Sequence, residues 1–288
     1  MTRSRATSIG FIAVLLWALL ALFTVGSAPV PPLQLNAMCF AIGGLIGLIW
    51  TWKTGGAARL RGVSWKVYAF GTLGLFGYHA LYFSALRLAP AAEAGLIAYL
   101  WPLLIVLFSG LLPGEKLFAG HIIGGLIGFA GAALIVLNGA TGFQGSALPG
   151  YGLALLCALT WASYSVLSRR LGAVPTETVA VFCIATAALS LPLHLALEET
   201  VWPATTLGWL SCIALGLGPV GLAFYVWDIG VKRGDIQLLG VASYAAPLLS
   251  TLALVVAGMA QPSTTLVLAA LLISAGAALA AYASAKAT

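Results

Sequence analysis

Charge is scarce in this chain. Only 7% of its 288 residues are Asp, Glu, Lys or Arg, against 61% apolar ones, and the mean hydropathy is +1.07. So few charges cannot solubilise so much apolar surface, which excludes an ordinary soluble domain. Catalytic signatures are missing as well. There is no HExxH, no GxSxG and no pair of intramembrane aspartates, so nothing points to an intramembrane enzyme. Without a Walker A sequence, direct drive by ATP is not expected. Cys39, Cys157, Cys183 and Cys212 form no CxxC pair and all fall in apolar runs. They read as small core residues, not as a disulfide framework or a zinc site, and no metal or cofactor is expected.

What the chain has is membrane-length runs. A span needs about 20 mostly apolar residues to cross about 30 Å of hydrocarbon. Ten runs qualify, at roughly 8–26, 33–53, 64–87, 90–112, 118–138, 149–170, 176–196, 206–231, 236–257 and 263–284. No connection between them is long enough for a soluble domain, so 1–288 reads as one all-α integral membrane bundle in the lipid bilayer. The first 28 residues have the outline of a secretory signal: Arg3 and Arg5, an apolar run, then Gly26-Ser27-Ala28. The run is longer than a usual signal core, and it has a partner later in the chain, so it reads as a retained first helix.

The net charge of +6 could suggest nucleic acid, but the membrane accounts for it. With the N-terminus cytoplasmic, the inner side receives 12 of the 13 basic residues, and Arg87 alone falls outside. That asymmetry predicts ten spans with both termini cytoplasmic.

An internal repeat runs through the chain. At an offset of 145 residues, AGAAL at 130–134 meets AGAAL at 275–279. Tyr99-Leu100-Trp101-Pro102 meets Tyr244-Ala245-Ala246-Pro247, Gly71 meets Gly216, Gly95 meets Gly240 and Arg87 meets Lys232. With a one-residue adjustment Trp17 meets Trp161. The halves are 1–143 and 144–288, each with five spans. Five is odd, so the second half enters the membrane inverted. Inverted repeats recur in secondary transporters, with the substrate site near mid-membrane between the halves.

Polar and aromatic groups collect in a few places. Pro102 and Pro247, repeat partners, sit mid-span and would free the carbonyls of Ala98 and Ser243 as helix breaks or gates. Gly216-Leu217-Gly218-Pro219-Val220-Gly221 predicts a further kink in the eighth span. The stretch YHALYFSALR (78–87) places Tyr78, His79 and Tyr82 within an arc of about 100°. Trp161, Tyr164, Ser165 and Ser168 form a second polar-aromatic face. Tyr225 and Trp227 lie on the eighth span, and Tyr99, Trp101 and Tyr244 lie beside the prolines. Trp50, Trp52, Trp65, Trp202 and Trp209 lie near span ends and fit interfacial belts instead. Rings with hydroxyls suit a solute with an apolar body and a polar head, or a cationic ammonium.

His79 is well inside a span. Its alternatives are a ligand for a substrate carboxylate, a proton-coupling group, or a structural imidazole bonded to a neighbouring helix. Asp228 and Lys232, spaced i,i+4, read as an ion pair, and Glu93 suits the start of its helix. No span carries a carboxylate near its middle, which argues against strong proton coupling. Gly120, Gly124 and Gly128 form a small-residue face for close packing, within the monomer or between the subunits of a homodimer.

Ten spans in two inverted halves, with LLPGEKLFAGHIIGGLIGFAGAALIV closing the first, resemble the EamA type of the drug/metabolite transporter (DMT) superfamily. Gly114-Glu115-Lys116-Leu117 before a glycine-rich helix carries the likeness, which covers essentially the whole chain. Ala260-Gln261-Pro262 departs from it where a second Glu motif is often found. The aromatic middle and the YLWP of the fourth span are most similar to the YddG-type aromatic amino-acid exporters of bacterial inner membranes. The resemblance implies a central cavity that exports amino acids by alternating access. By position its lining would draw on Trp17, Tyr78, His79, Tyr82, Tyr99, Trp101, Trp161, Tyr164, Tyr225 and Tyr244. The alternative within the superfamily is an exporter of cationic or amphipathic drugs, though small multidrug pumps rely on a membrane glutamate not seen here. Nucleotide-sugar transport would want basic cavity residues for phosphate, and a purely structural bundle would have no use for the inverted symmetry.

Overall fold

The computed structural model describes residues 1–137, 142–256, 258 and 261–286. The expected span ends at 138 and 257, and Ala260, lie outside them. The chain runs through helical units that cross and recross the bundle. The first is α1 (Arg3–Ala18) with α2 (Leu20–Gly26), followed by α3 (Pro32–Lys53), the short α4 (Ala57–Leu60) and α5 (Trp65–Leu88). Next come α6 (Ala91–Ala98) with α7 (Trp101–Ser109), α8 (Ala119–Val136), α9 (Leu148–Arg170) and α10 (Thr178–Leu197). α11 (Thr206–Leu217) continues through a π-helical turn at Gly218–Leu222 into α12 (Ala223–Arg233), and then come α13 (Ile236–Ala242) with α14 (Ala245–Val256), and α15 (Thr264–Ala285).

Among the described residues, nine of these units are long and apolar enough to cross a membrane. The remaining expected span, α5, has 24 residues and a length of about 36 Å, but it is not among the nine. Its Tyr78, His79, Tyr82, Ser84 and Arg87 dilute its hydropathy. Starts are set by local chemistry. The hydroxyls of Ser64, Thr205 and Ser263 and the carboxylate of Asp235 accept the first backbone N–H groups of α5, α11, α15 and α13. The breaks fall where the prolines predict. α6 gives way to α7 at Tyr99 and Leu100, and α13 gives way to α14 at Ser243 and Tyr244.

Packing follows a regular scheme. α1 lies on α12, α5 on α9, α3 on α10, and α8 on α15. Glycine permits the closest of these approaches. A Cβ at Gly124 would come within 2.5 Å of the Gly276 carbonyl oxygen, and one at Gly10 within 2.8 Å of the Gly230 Cα. The glycine face of α8 is therefore filled within the chain: Gly120 meets Ala283, Gly124 meets Gly276 and Gly128 meets Tyr244. This settles the choice left open by the sequence in favour of packing within the monomer. The four cysteines are free and buried.

Charges gather at the two ends of the bundle. At the end that carries the N-terminus, Glu115 pairs with Arg169 and with Arg3 (3.2 Å), and Arg3 reaches Asp235 (3.4 Å). Arg169 also donates to the carbonyls of Val231 (2.9 Å) and Gly234 (2.8 Å), the C-terminal end of α12. Two guanidiniums thus tie together α1, the α7–α8 connection, α9, α12 and α13. Arg59 pairs with Glu177, and the expected Asp228–Lys232 pair forms at 2.9 Å, both side chains buried. At the opposite end the Glu198 carboxylate accepts from the N–H groups of Leu33 (3.0 Å) and Gln34 (3.2 Å) and faces His194 and Arg87. It caps α3 as an anion at a helix N-terminus. Trp50, Trp52, Trp65, Trp202 and Trp209 are all exposed, as interfacial residues would be.

Gly124→Val should destabilise the protein by about 2 kcal/mol through overpacking. Gly152→Val, where a Cβ meets open space, should cost little. Thermal unfolding in detergent compares the two, and equal losses would contradict the close α8–α15 contact.

Candidate functional site

The bundle interior holds a continuous network of aromatic rings. Four indoles form its centre, one each from α1, α7, α9 and α12. Trp17 lies 5.9 Å from Trp101, 5.9 Å from Trp161 and 5.1 Å from Trp227. Most of these pairs are steep, at interplanar angles of 54° to 88°, the edge-to-face arrangement that ring quadrupoles favour. Trp17 and Trp227 are held by their own donors. The Trp17 Nε1–H donates to the Pro219 carbonyl (3.1 Å), and the Trp227 Nε1–H donates to the Ser165 hydroxyl (3.0 Å). The π-helical turn that Gly218-Pro219 forces thus presents a carbonyl that an indole takes up.

The network continues along α5. Tyr78 lies 5.4 Å from Trp161 and stacks on Tyr82 at 6.1 Å with an interplanar angle of 4°. Tyr164 packs on Trp161 (5.3 Å) and stacks on Phe70 (5.6 Å). His79 meets Phe40 edge-on at 5.0 Å and faces Phe224 and Phe83 at 6.3 Å each. Tyr99, at the α6–α7 break, lies near Tyr78 and Tyr82 and packs against the cluster that holds Tyr244. Trp17, Tyr78, His79, Tyr82 and Tyr99 are half-buried, whereas Trp101, Trp161, Tyr164 and Trp227 are buried. The half-buried group therefore forms the accessible face of the cluster.

The His79 geometry decides what the ring can offer. Its Nδ1 lies 2.7 Å from the Leu75 carbonyl oxygen. A carbonyl only accepts, so Nδ1 carries the hydrogen and Nε2 presents a lone pair. That lone pair suits an ammonium or hydroxyl donor. Bonding a carboxylate would first require protonating the ring.

Two expected lining residues lie elsewhere. Tyr225 is two residues from Trp227 and so on a different face of α12. Its hydroxyl donates to the Gly43 carbonyl (2.8 Å) and its ring meets Trp50. Tyr244 is fully buried beside Leu248, Leu266 and Ile273, and its hydroxyl accepts the Leu103 N–H (3.1 Å). It ties the two broken helices together. The Ser243 carbonyl, expected to be free, accepts the Ala246 N–H (3.1 Å). Pro102 and Pro247 are both buried at the breaks they predict.

The EamA-like transporter family model matches residues 5–137 and again residues 148–282. This chain belongs to that family. It is 56% identical over 287 residues to a protein of Ancylobacter novellus named "Aromatic amino acid exporter YddG", covering 97% of this chain and 98% of that one. A protein of the same name from Salmonella typhimurium is 28% identical over 265 residues, 87% of this chain and 88% of that one. A "Pseudopaline exporter CntI" of Pseudomonas aeruginosa is 29% identical over 198 residues, 68% of each chain. A solved crystal structure at 56% identity superposes with a TM-score of 0.93, covering 98% of this chain and 99% of the other. The chain is thus a multi-pass membrane transporter, as its apolar helices and EamA-like repeats require.

Reasoning from sequence left Trp227, Phe40 and Phe224 out of its candidate residues, though all three belong to the ring network. Periodicity carries a usable signal for Trp227, since Ala223, Trp227 and Gly230 share the face that meets α1. Nothing local marks Phe40 or Phe224 as neighbours of His79.

Tyr82→Ala and Tyr99→Ala should each reduce transport severalfold while leaving thermal stability nearly unchanged, because both rings are half-buried. Wild-type rates in both variants would remove the α5–α6 face from the site.

Proposed function

We propose that this EamA-like transporter is a secondary exporter of aromatic and other neutral amino acids in a bacterial inner membrane, working by alternating access. The observation that carries the reading is the half-buried face of Tyr78, His79, Tyr82 and Tyr99, backed by buried indoles. It offers ring contacts for an apolar side chain, together with hydroxyls and an imidazole lone pair for a polar head. The name of the Ancylobacter novellus relative agrees with this chemistry. Discrimination by affinity at this face would be loose, since ring contacts without charge partners distinguish poorly.

The architecture we infer is ten spans in two inverted halves, 1–143 and 144–288, with α5 as the third span. Two observations support it. The family model matches once in each half. The packing scheme is also the one such symmetry would generate. With span k equivalent to span k+5, α1 on α12 and α5 on α9 are the same contact seen twice, while α3 on α10 and α8 on α15 lie across the axis. The gathering of basic residues at one end supports cytoplasmic termini. In that orientation the Arg169, Glu115, Arg3 and Asp235 network closes the cytoplasmic side, and the accessible tyrosines face outward. Breaks at Tyr99-Leu100 and Ser243-Tyr244 supply hinges for the opposite state. A cationic drug is the second substrate class for this fold, but it would want a free carboxylate at the rings. Asp228, one residue past Trp227, is engaged by Lys232 (2.9 Å) and Thr176 (2.7 Å).

Labelled phenylalanine should accumulate transiently in proteoliposomes preloaded with unlabelled phenylalanine, with no ion gradient. No accumulation from folded protein would overturn the exchange reading. Arg169→Ala should widen the distance between spin labels at the exposed positions 116 and 233. An unchanged distance distribution would remove the ionic network from the gate.

A further inference from the structure

The indole cluster separates two unlike regions. On one side lie the half-buried Tyr78, Tyr82 and Tyr99. On the other, along α12, come the buried Asp228–Lys232 pair and then the Val231 and Gly234 carbonyls clamped by Arg169. Trp227 precedes Arg233, the last residue of α12, by six residues, or about 9 Å along the axis. Tyr82 precedes Leu88, the last residue of α5, by six residues at the opposite end of the bundle. Trp227 is 1% exposed, Trp161 3% and Trp101 6%. Trp227 contacts all three of the other indoles, at 5.1 Å to Trp17, 5.9 Å to Trp101 and 6.4 Å to Trp161. Its hydrogen bond to Ser165 fixes it to α9.

We propose that Trp227 is a specificity-determining plug: a solute coming from the cytoplasm passes between Trp227 and the other three indoles, and the plug admits aromatic solutes faster than aliphatic ones of similar size. The inference rests on the reading of this protein as an amino-acid exporter. Parting the indoles breaks edge-to-face contacts. An aromatic side chain in transit supplies replacement partners of the same geometry. Leucine fills the gap without supplying them, so its crossing keeps the full cost of separating the rings. Selection of this kind acts on the rate of crossing and not on affinity for the tyrosine face. It therefore appears in the maximal rate, while KM stays put.

The test measures counterflow of phenylalanine and of leucine in proteoliposomes holding the full chain. Wild type is expected to move phenylalanine faster. Trp227→Leu should lower the phenylalanine-to-leucine ratio of maximal rates about fivefold, the order of one lost aromatic pair, with the KM for phenylalanine unchanged. Trp227→Phe, which restores a ring but not the bond to Ser165, should bring the ratio back. An unchanged ratio in Trp227→Leu would overturn the proposal. So would a raised KM at an unchanged maximal rate, which would place Trp227 in the binding face. If Trp227→Leu is inactive, Trp227→Met carries the same comparison. Inactivity of all three variants, with folding verified, would make Trp227 a structural support and overturn the plug. Failure of the exporter reading looks different: wild type itself would show no phenylalanine counterflow.

Discussion

Hydrocarbon offers no hydrogen bonds, so every polar group inside the membrane needs a partner from the protein. The interior of this transporter is organised by that requirement. Three of the helix interruptions are matched by a group that takes up what the break releases. The Pro219 carbonyl accepts from Trp17, the Ser243 carbonyl accepts from Ala246, and the Leu103 N–H below the α6–α7 break donates to Tyr244. Two of these three acceptors or donors are aromatic side chains. The aromatic residues thus serve the fold as well as the proposed site, and the chain concentrates them where it also breaks its helices.

Charge obeys the same rule. The buried Asp228–Lys232 pair is completed by Thr176 and by the Val174 carbonyl, so neither ion is left half-satisfied. Removing one partner of such a pair typically costs about 3–5 kcal/mol, because the other is left buried without compensation. The networks around Arg169 and Glu198 sit at opposite ends of the bundle. Both bind helix termini: Arg169 takes the last carbonyls of α12 and Glu198 the first N–H groups of α3. Charges with such neighbours fix helix ends without entering the aromatic middle, and the middle stays free to meet a neutral or zwitterionic solute.

Rigid and adjustable parts are also divided by chemistry. α8 and α15 meet through glycine and alanine with backbones nearly touching, and α3 meets α10 over much of its length. These contacts leave no room for sliding. Of the units that supply the ring network, α6 with α7 and α11 with α12 are interrupted, while α5 and α9 run through it unbroken. A break in a helix is where small dihedral changes can reorient a whole segment, so the site is bounded by movable pieces held against fixed ones.

Sequence alone determined the membrane class, the long apolar helices and the positions of the proline-linked breaks, because hydropathy, proline and glycine act locally on the backbone. It also named most of the ring network, since Trp17, Tyr78, Tyr82, Trp101, Trp161 and Tyr164 stand out as aromatics far from span ends. Periodicity within one helix cannot tell which face meets which neighbour. For that reason periodicity could not foresee that the Tyr225 hydroxyl bonds the Gly43 carbonyl, or that the Tyr244 hydroxyl ties two broken helices. The glycine face of α8 could equally have served a second subunit until α15 was seen to occupy it. Two of the ring neighbours of His79, Phe40 and Phe224, come from α3 and α12. Tertiary structure decided these points because each depends on contacts between residues distant in the chain, whose identity no local pattern carries.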